Sequence, residues 1–559
     1  MPGQLTPVYA LADRYVEESA ALDPIGATAN GIAGYDSELT DYSPDGIEQR
    51  AGHTRAILAA LEGAAITNER DRVASAFIGE RLRAQLAQFD ADEGLRALRI
   101  IGSPLGSIRS CFDLMPRETA EDWETIAARM EKVPAALGGF RAALDAGRAK
   151  GVLAARRQAL ECAKQAATWS GDGAEPFFPK LVEGAKPEVV PGALRGRLDA
   201  AATAATNAYA RFASYLRDEY APGAPLQDAV GPDRYRVMAL STLGATIDLF
   251  ETYAWAWEDL HRIEADMRAT AQRIRPGATV EQAKQLLETD PARSIEGVEA
   301  FRAWMQELQD RTIAELNGKH FDIPGPVQRV EAMIAPPGGA AAMYYTGPSE
   351  DFSRPGRTWY PTLGKTRFPL WGEVSIAYHE GVPGHHLQVA QVRYLAETLS
   401  RFQRTVFVSA HGEGWALYAE RLMDELGYLE NPDYRLGMLR AQAMRAVRVI
   451  VDIGMHLQLE IPAADGFHPG ERWTPELGQA FVDERSHFPK DFMASEIVRY
   501  LGYPSQAICY KVGERVWLEA RDAARARAGN AFDLKAFHAK ALDLGPLGLD
   551  QMRAELGRL

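Results

Sequence analysis

The sequence has few cysteines, no long apolar run and no surplus of basic charge, and each shortage excludes a class of protein. Its three cysteines, Cys111, Cys162 and Cys509, are too few and too scattered for a disulfide framework or a cysteine metal site. No stretch of about 18 uninterrupted apolar residues is present, so we expect no membrane span. The formal net charge of −14, with no dense Lys/Arg stripe, argues against a nucleic-acid partner.

The remaining composition is that of a globular protein with a large core. The chain has 559 residues, of which 46% are hydrophobic and 25% are charged. Apolar residues recur at spacings of three and four along most of the chain, which predicts a mainly α protein. Thr279 and Gln282 have the spacing of a capping box at a helix start. The longest predicted helices are Ala120–Ala149, Arg197–Tyr220, Arg234–Ile274 and Ser294–Asn317.

The most informative stretch is Tyr378–Gln388, which reads YHEGVPGHHLQ. It places His379 and Glu380 on one side of a Pro-Gly break, and two adjacent histidines on the other. A zinc hydrolase needs two imidazoles on the metal and a carboxylate that can take a proton from the attacking water. Glu380 adjoins the first histidine and is therefore the candidate general base.

The spacing of these histidines leaves two candidates for the second metal ligand. In the usual His-Glu-x-x-His helix the two histidines lie four residues apart, about 40° around the axis. An undistorted helix would favour His386, at about 700° from His379. Pro383 argues against an undistorted helix, and a bulge at this proline would bring His385 beside His379. The alternative without function is a kinked helix with surface histidines.

A second helical segment, Ser409–Arg421, carries the candidate third ligand. Glu413 is flanked by glycines and followed by Trp415, and its position resembles that of the glutamate ligand in the gluzincin class of peptidases. Glu420 lies seven residues further on and shares a helix face with Glu413. We expect Glu420 to accept a hydrogen bond from a ligand histidine. An ordinary solvated carboxylate is the alternative for each glutamate.

These motifs resemble the bacterial "domain of unknown function 885" family over about residues 340–515. The residues that carry the resemblance also include Arg499-Tyr500, Pro504, Gln506, Ala507 and Tyr510. That family is similar to thimet-type oligopeptidases and Taq-type carboxypeptidases, which are largely helical zinc peptidases. The resemblance implies a mainly α, zincin-like fold with a small β-sheet beside the metal helix and a deep cleft between two lobes. It also implies one zinc ion per chain.

The resemblance further implies roles for single residues. In the similar peptidases the second ligand lies in Gly-His-small-Leu, which places His385 at the ligand position and His386 behind it. His386 is not small, however, and two residues are inserted before Gly384, so the choice between the two histidines stays open. Tyr510 is implied as the oxyanion donor, and Tyr503 and Arg499 as substrate-binding residues. Core packing is the alternative for each tyrosine.

The domain organisation is predicted from a change of composition at Ile323–Gly325. Residues 1–322 would form an N-terminal helical region, one wall of the cleft. Residues 323–559 would form the catalytic zinc-binding region. Strand and turn patterns between Val327 and Tyr360 predict the small sheet, with the edge at Tyr344–Tyr360. We expect Arg357 and Tyr360 of this segment to lie beside bound peptide.

The sequence thus predicts a zinc-dependent peptidase that acts on short peptides. A zinc hydrolase of a non-peptide amide is the first alternative, and a metal-binding scaffold without turnover is the second. The intact Glu380 argues against the scaffold. The first residues lack the basic and apolar regions of a signal peptide, so we expect a cytoplasmic location. A periplasmic location is the alternative, because relatives that resemble this family often carry export signals. The sequence does not indicate an oligomeric state.

Overall fold

Helices make up most of the protein, so the prediction of a mainly α chain is confirmed. The structure is a computed structural model that describes residues 5–335, 342–349 and 351–559. The shorter 3-10 and π turns within these residues are Glu93–Arg96, Cys111–Leu114, Tyr215–Tyr220, Ala221–Gly223, Pro291–Arg293, Gly325–Gln328, Ala463–Asp465 and Gly529–Ala531.

The chain forms two compact units. The first consists of Met1–Ser241 with Ala494–Pro504, and the second of Thr242–Met493 with Ser505–Leu559. The boundary predicted at residue 323 falls inside the second unit.

The first unit is a helical assembly around an aromatic core. Within this core Trp123 and Tyr209 are buried, and the rings of Phe140 and Phe212 stack at a centroid distance of 5.5 Å. Its helices are α1 (Pro7–Leu22), α2 (Pro24–Ala29), α3 (Pro44–Glu62), α4 (Glu69–Asp90), α5 (Pro104–Ser110), α6 (Ala120–Met130), α7 (Val133–Lys150), α8 (Arg156–Trp169), α9 (Phe177–Glu183), α10 (Gly192–Ser214) and α11 (Gly231–Leu243), whose last residues enter the second unit.

The second unit contains the motifs predicted to bind metal. Its helices are α12 (Leu249–Ile274), α13 (Val280–Thr289), α14 (Val298–Leu316), α15 (Glu373–Glu380), α16 (His385–Tyr394), α17 (Arg401–Thr405), α18 (Ser409–Glu425), α19 (Pro432–Leu457), α20 (Pro475–Arg485), α21 (Lys490–Gly502), α22 (Cys509–Ala528), α23 (Leu534–Asp543) and α24 (Leu549–Leu556). Most of α21 belongs to the first unit.

Local chemistry explains where the helices start and break. The predicted capping box is present, because Thr279 and Gln282 each bond the other's backbone N–H at the start of α13. The predicted helix Ala120–Ala149 is two helices, because α7 starts anew with a proline in its first turn. The predicted helix Arg234–Ile274 is also two, since Gly244 adopts φ +63° and Asp248 caps α12.

The second unit also holds two small sheets. Strands β1 (Ser294–Glu296) and β5 (Arg367–Pro369) pair antiparallel. The other sheet has the order β2 (Val330–Ile334), β4 (Gly356–Tyr360) and β3 (Tyr344–Thr346), with β2 parallel and β3 antiparallel to β4. The small sheet is therefore present, but the expected edge Tyr344–Tyr360 is only partly an edge. Strand β3 is at the edge, whereas β4 is the central strand.

The first residues of the predicted helix Ser294–Asn317 form strand β1 instead. Gly297 follows at φ +91°, a conformation that other residues rarely adopt, and α14 begins at Val298. Pairing with β5 thus prevails over the helical periodicity of these residues.

Helices α18 and α22 pack at close range through a pair of glycines. A Cβ on Gly414 would lie 2.5 Å from Cα of Gly513, and a Cβ on Gly513 would lie 2.0 Å from the carbonyl oxygen of Ala410. No larger residue fits at either position without moving a helix. This contact fixes the relative positions of Glu413, which precedes the first glycine, and Tyr510, which lies about one turn before the second.

Candidate metal centre

The predicted break in the metal helix separates α15 from α16. His379 lies in the last turn of α15, and His385 is the first residue of α16. The loop between them contains a cis peptide bond at Val382-Pro383. Gly384 N–H donates to the carbonyl of Tyr378 at 3.0 Å, and a Cβ on Gly384 would lie 2.0 Å from the carbonyl oxygen of His379. The return of the chain towards His379 therefore requires glycine at position 384.

A tryptophan from α18 holds this loop in place. The indole N–H of Trp415 lies 2.8 Å from the carbonyl oxygen of Pro383 and 3.2 Å from that of Gly384, so it donates to the loop backbone. Trp415 is fully buried and lies two residues after Glu413. The same short segment of α18 thus fixes the loop and carries the third candidate ligand.

His379, His385 and Glu413 come together as a group that can hold a metal ion, with one ligand atom from each lying within 4.8 Å of the others. Oε2 of Glu413 lies 3.5 Å from Nε2 of His379 and 3.4 Å from Nε2 of His385. Ligand atoms on a tetrahedral zinc lie about 3.3 Å apart, given metal–ligand distances of about 2.0–2.1 Å. The two observed separations and the donor set therefore fit zinc.

The orientation of His379 is fixed by hydrogen bonds behind its ring. Nδ1 donates to Oε1 of Glu420 at 2.8 Å, and the hydroxyl of Ser375, one turn earlier on α15, donates to the other oxygen of the same carboxylate. A proton on Nδ1 leaves the lone pair on Nε2, the atom that faces Glu413. Glu420 therefore accepts hydrogen bonds from both His379 and Ser375.

Charge also stabilises the ionised form of Glu420. Burial opposes ionisation, but the guanidinium of Arg445 lies 3.4 Å from Oε1, and this charge and the hydrogen bonds of His379 and Ser375 hold the pKa of Glu420 below its ordinary value. Arg445 also approaches Nδ1 of His379 at 3.4 Å.

Glu413 is likewise held in its ionised form. Burial raises the pKa of this carboxyl, but hydrogen bonds and charge interactions with His379 and His385 outweigh burial, and the net pKa lies well below its usual range. An ionised carboxylate facing two imidazole nitrogens is the protonation state that a metal ligand requires.

Glu380 has the opposite electrostatic behaviour. Burial raises its pKa to about 7, with the nearby His385 lowering it and Glu413 raising it. The residue is 8% exposed and directly follows the candidate ligand His379. A carboxyl with a pKa near neutrality, next to a metal site, is suited to take up and release a proton.

The sequence left open whether His385 or His386 faces the candidate metal group, and in the structure it is His385. Nε2 of His386 donates to the carbonyl oxygen of Val327 at 2.7 Å, and its Nδ1 lies 3.0 Å from the hydroxyl of Tyr345. Both ring nitrogens are therefore engaged away from Glu413. Burial lowers the pKa of His386 to about 4, so the ring stays neutral. Its contacts join α16 to β3 and to the turn before β2.

Tyr510 lies beside His379, the first candidate ligand. Its ring is nearly parallel to that of His379, with a centroid distance of 6.4 Å. The guanidinium groups of Arg445 and Arg448, from α19, lie 5.5 Å and 4.9 Å from the centre of the tyrosine ring. Two cations therefore flank this tyrosine.

The residues expected beside bound peptide have structural contacts. Arg357 forms an ion pair with Glu331 on the neighbouring strand, at 2.9 Å. Tyr360 is fully buried, its hydroxyl accepts from Gln309 at 3.2 Å, and its ring meets Phe301 edge-on. The role of Arg357 and Tyr360 beside bound peptide stays a prediction, and the side chain of Tyr360 is buried on the central strand β4.

Tyr503 and Arg499 belong to the first unit, whereas the ligand group belongs to the second. The guanidinium of Arg99 lies 4.2 Å from the centre of the Tyr503 ring, and Arg499 forms an ion pair with Glu496 at 2.6 Å. The substrate-binding role of both residues stays a prediction.

Ser375 and Arg445 contact Glu420 although neither belongs to the metal-binding motifs. Ser375 lies four residues before His379, so the spacing of one helix turn was the available signal. Arg445 comes from α19, outside the motifs, and the packing of that helix brings it to Glu420.

Substitution of Glu420 by glutamine should weaken zinc binding by about 10–100-fold, because the amide is a weaker acceptor for His379 and leaves Arg445 without its carboxylate partner. Competition with a chromogenic chelator measures the dissociation constant. The control is Glu425→Gln on the same helix, where the carboxylate pairs with Arg521 instead. Equal affinity of wild type and Glu420→Gln would disprove the orienting role.

Comparison with known proteins identifies the family. Two solved structures share the fold. One is described as a "putative lipoprotein from Colwellia psychrerythraea", with TM-score 0.84, 22% identity, and coverage of 99% of each chain. The other is described as a "putative lipoprotein of unknown function from Shewanella oneidensis", with TM-score 0.73, 18% identity, and coverage of 98% of this chain and 99% of that one. Among curated proteins none matches the sequence significantly.

Within the described residues, no helix combines the length and apolar character needed to cross a membrane. The family model "Bacterial protein of unknown function (DUF885)" matches residues 24–556, and the chain belongs to this family.

Proposed function

We propose that the protein is a zinc-dependent peptidase that hydrolyses short peptides. The observation that carries this proposal is the group of His379, His385 and Glu413, which has the donor atoms and separations of a zinc site, together with the buried Glu380 next to the first ligand. Two imidazoles and one carboxylate leave a fourth tetrahedral position open, as in catalytic zinc sites.

The chemistry divides between the metal and the protein. A zinc ion held by the group would lower the pKa of a bound water towards neutrality and would polarise the carbonyl of a bound amide. Glu380 would accept a proton from the attacking water and pass it to the leaving nitrogen, for which its pKa of about 7 is suited. Glu420 would keep the proton on Nδ1 of His379, and the Tyr510 hydroxyl would donate to the oxygen on which charge develops.

The zincin-like fold is part of the proposal. Its support is the arrangement of ligands on two neighbouring helices, α15 and α16, with the third ligand on the packed helix α18. The edge strand β3 is connected to this site through the contact of Tyr345 with His386, and it supplies an edge on which an extended peptide can pair.

The substrate class is tested with two sets of compounds, short unmodified peptides and small non-peptide amides. The protein is first freed of metal with a chelator, and one part is then reloaded with zinc. We expect the zinc-loaded protein to hydrolyse the peptides and the metal-free protein to hydrolyse neither set. Hydrolysis of only the non-peptide amides would replace the proposal by the amidohydrolase alternative. Stable zinc binding without hydrolysis of either set would favour the scaffold.

Substitution of Tyr510 by phenylalanine should reduce peptide turnover by about a hundredfold with zinc content unchanged, because one oxyanion donor is lost. Steady-state kinetics and metal analysis measure the two quantities. The control is Tyr418→Phe, which removes another buried hydroxyl, one that contacts His538 instead. A turnover for Tyr510→Phe equal to that of the control would remove Tyr510 from the mechanism.

We further propose that the protein works in the cell envelope. The sequence alone predicts the cytoplasm, with the periplasm as the alternative. The support is that both solved proteins of the same fold are described as putative lipoproteins. Fractionation of cells that express the tagged native gene tests this location. Recovery of the protein only in the cytoplasmic fraction would contradict the envelope proposal and support the cytoplasmic location predicted from the sequence.

A further inference from the structure

The two ligand histidines differ in what lies behind their rings. Nδ1 of His379 donates to Glu420 at 2.8 Å. Nδ1 of His385 is buried and has no hydrogen-bond partner among the described residues. Since Nε2 of His385 faces Glu413 at 3.4 Å, metal binding through Nε2 requires a proton on Nδ1. That proton calls for an acceptor, because a buried donor without one is costly.

A matching acceptor lies on the same helix. Oε1 of Gln388 is also buried without a hydrogen-bond partner among the described residues. Gln388 is 5% exposed and lies three residues after His385, so both side chains share a face of α16. Residues at this spacing have Cβ atoms about 5–6 Å apart, within reach of each other's side chains. One atom lacks an acceptor, and the other lacks a donor.

The surroundings of Gln388 place its amide oxygen against α18, beside Gly412. A Cβ on Gly412 would lie 3.5 Å from this oxygen, and Gly412 directly precedes the ligand Glu413. The carboxamide therefore lies between α16, which carries the second ligand, and α18, which carries the third.

We propose that Gln388 is the positioning residue of His385, and that its Oε1 accepts a hydrogen bond from Nδ1–H when a metal is bound at Nε2. Gln388 thus serves the second histidine as Glu420 serves the first. A neutral amide in place of a second carboxylate avoids a further buried negative charge beside Glu380, Glu413 and Glu420. The inference rests on the metal site of the proposed function and does not depend on peptide hydrolysis.

Zinc affinity of three variants tests this assignment, measured on the full chain by chelator competition. Gln388→Met keeps the side-chain length but removes the acceptor, and we expect its zinc affinity to fall by about 10–100-fold. Gln388→Glu supplies a stronger acceptor of the same shape, so its affinity should equal or exceed that of the wild type. Gln391→Met is the control, because Gln391 lies on the same helix but donates to Asp543.

Only Gln388→Met is expected to lose zinc affinity, whereas a purely structural role of Gln388 would lower the affinity of both variants. Equal losses in both variants, or a gain in Gln388→Glu without a loss in Gln388→Met, would overturn the proposal. If Gln388→Met does not fold by circular dichroism, a loss of affinity in Gln388→Glu overturns the proposal by itself. A wild type that binds no zinc would refute the proposed function, whereas unchanged affinity in Gln388→Met would refute only the role of Gln388.

Discussion

Substitution of Glu380 by glutamine should leave zinc bound while peptide turnover falls by about two to four orders of magnitude. Glutamine keeps the shape of the side chain but cannot accept a proton. The ligand atoms of His379, His385 and Glu413 are unaffected, so the zinc content should remain at about one ion per chain. The loss should appear in kcat, because proton transfer occurs in the chemical step.

A second carboxylate on the same helix provides the control. Glu373 lies at the start of α15, and burial raises its pKa to about 7, as it does for Glu380. Glu373→Gln therefore removes a partly buried carboxyl of similar pKa that is not adjacent to a ligand. We expect it to retain most of the turnover. If both substitutions reduce turnover equally, the effect is structural and Glu380 is not the base.

The second large effect concerns the metal ligands. His385→Ala should abolish stoichiometric zinc binding and peptide turnover, because it removes one of three protein ligands. His386→Ala should keep the zinc, since both nitrogens of that ring bond to Val327 and Tyr345 instead. Elemental analysis of proteins purified without chelator measures the difference.

The adjacent positions make this a matched pair. Loss of the buried His386 should lower the unfolding midpoint, because it removes the link between α16 and β3, but it should leave the metal content unchanged. Retention of zinc by His385→Ala together with its loss in His386→Ala would show that the other histidine is the ligand.

The candidate ligands could be predicted from the sequence because the motifs are short and local. His379, Glu380 and His385 lie within one segment, and the glycines and tryptophan around Glu413 mark the second motif. The orienting position of Glu420 also followed from helix geometry, since two turns of α18 place it on the face of Glu413. Helix content was predictable for the same reason, as periodicity is a local property.

The path of the chain between the histidines could not be predicted in this way. An undistorted helix and a bulge give different ligands, and the choice depends on how Gly384 passes the carbonyl of His379 and how Trp415 bonds to the loop. The first is a close approach of two backbone segments and the second is a hydrogen bond from a side chain to the backbone, and no spacing rule contains either.

Long-range packing explains the remaining differences. Tyr360 has the aromatic character of a binding residue, but β4 lies between two other strands, and the ring is buried against Phe301. Strand order is set by pairing between distant segments, so the central position of β4 was not visible in its own sequence. Arg445 illustrates the converse, because its contact with Glu420 depends on the packing of α19.

The central claim is tested most directly by cleavage profiling of a mixed peptide pool in water enriched in oxygen-18, with zinc-loaded wild type and Glu380→Gln side by side. Mass spectrometry identifies each new terminus and the origin of its oxygen. The account predicts that the wild type cleaves short peptides and incorporates oxygen-18 into the new carboxylates, while Glu380→Gln leaves the pool essentially intact. An uncleaved pool with zinc-loaded wild type, or equal cleavage by both proteins, would contradict it.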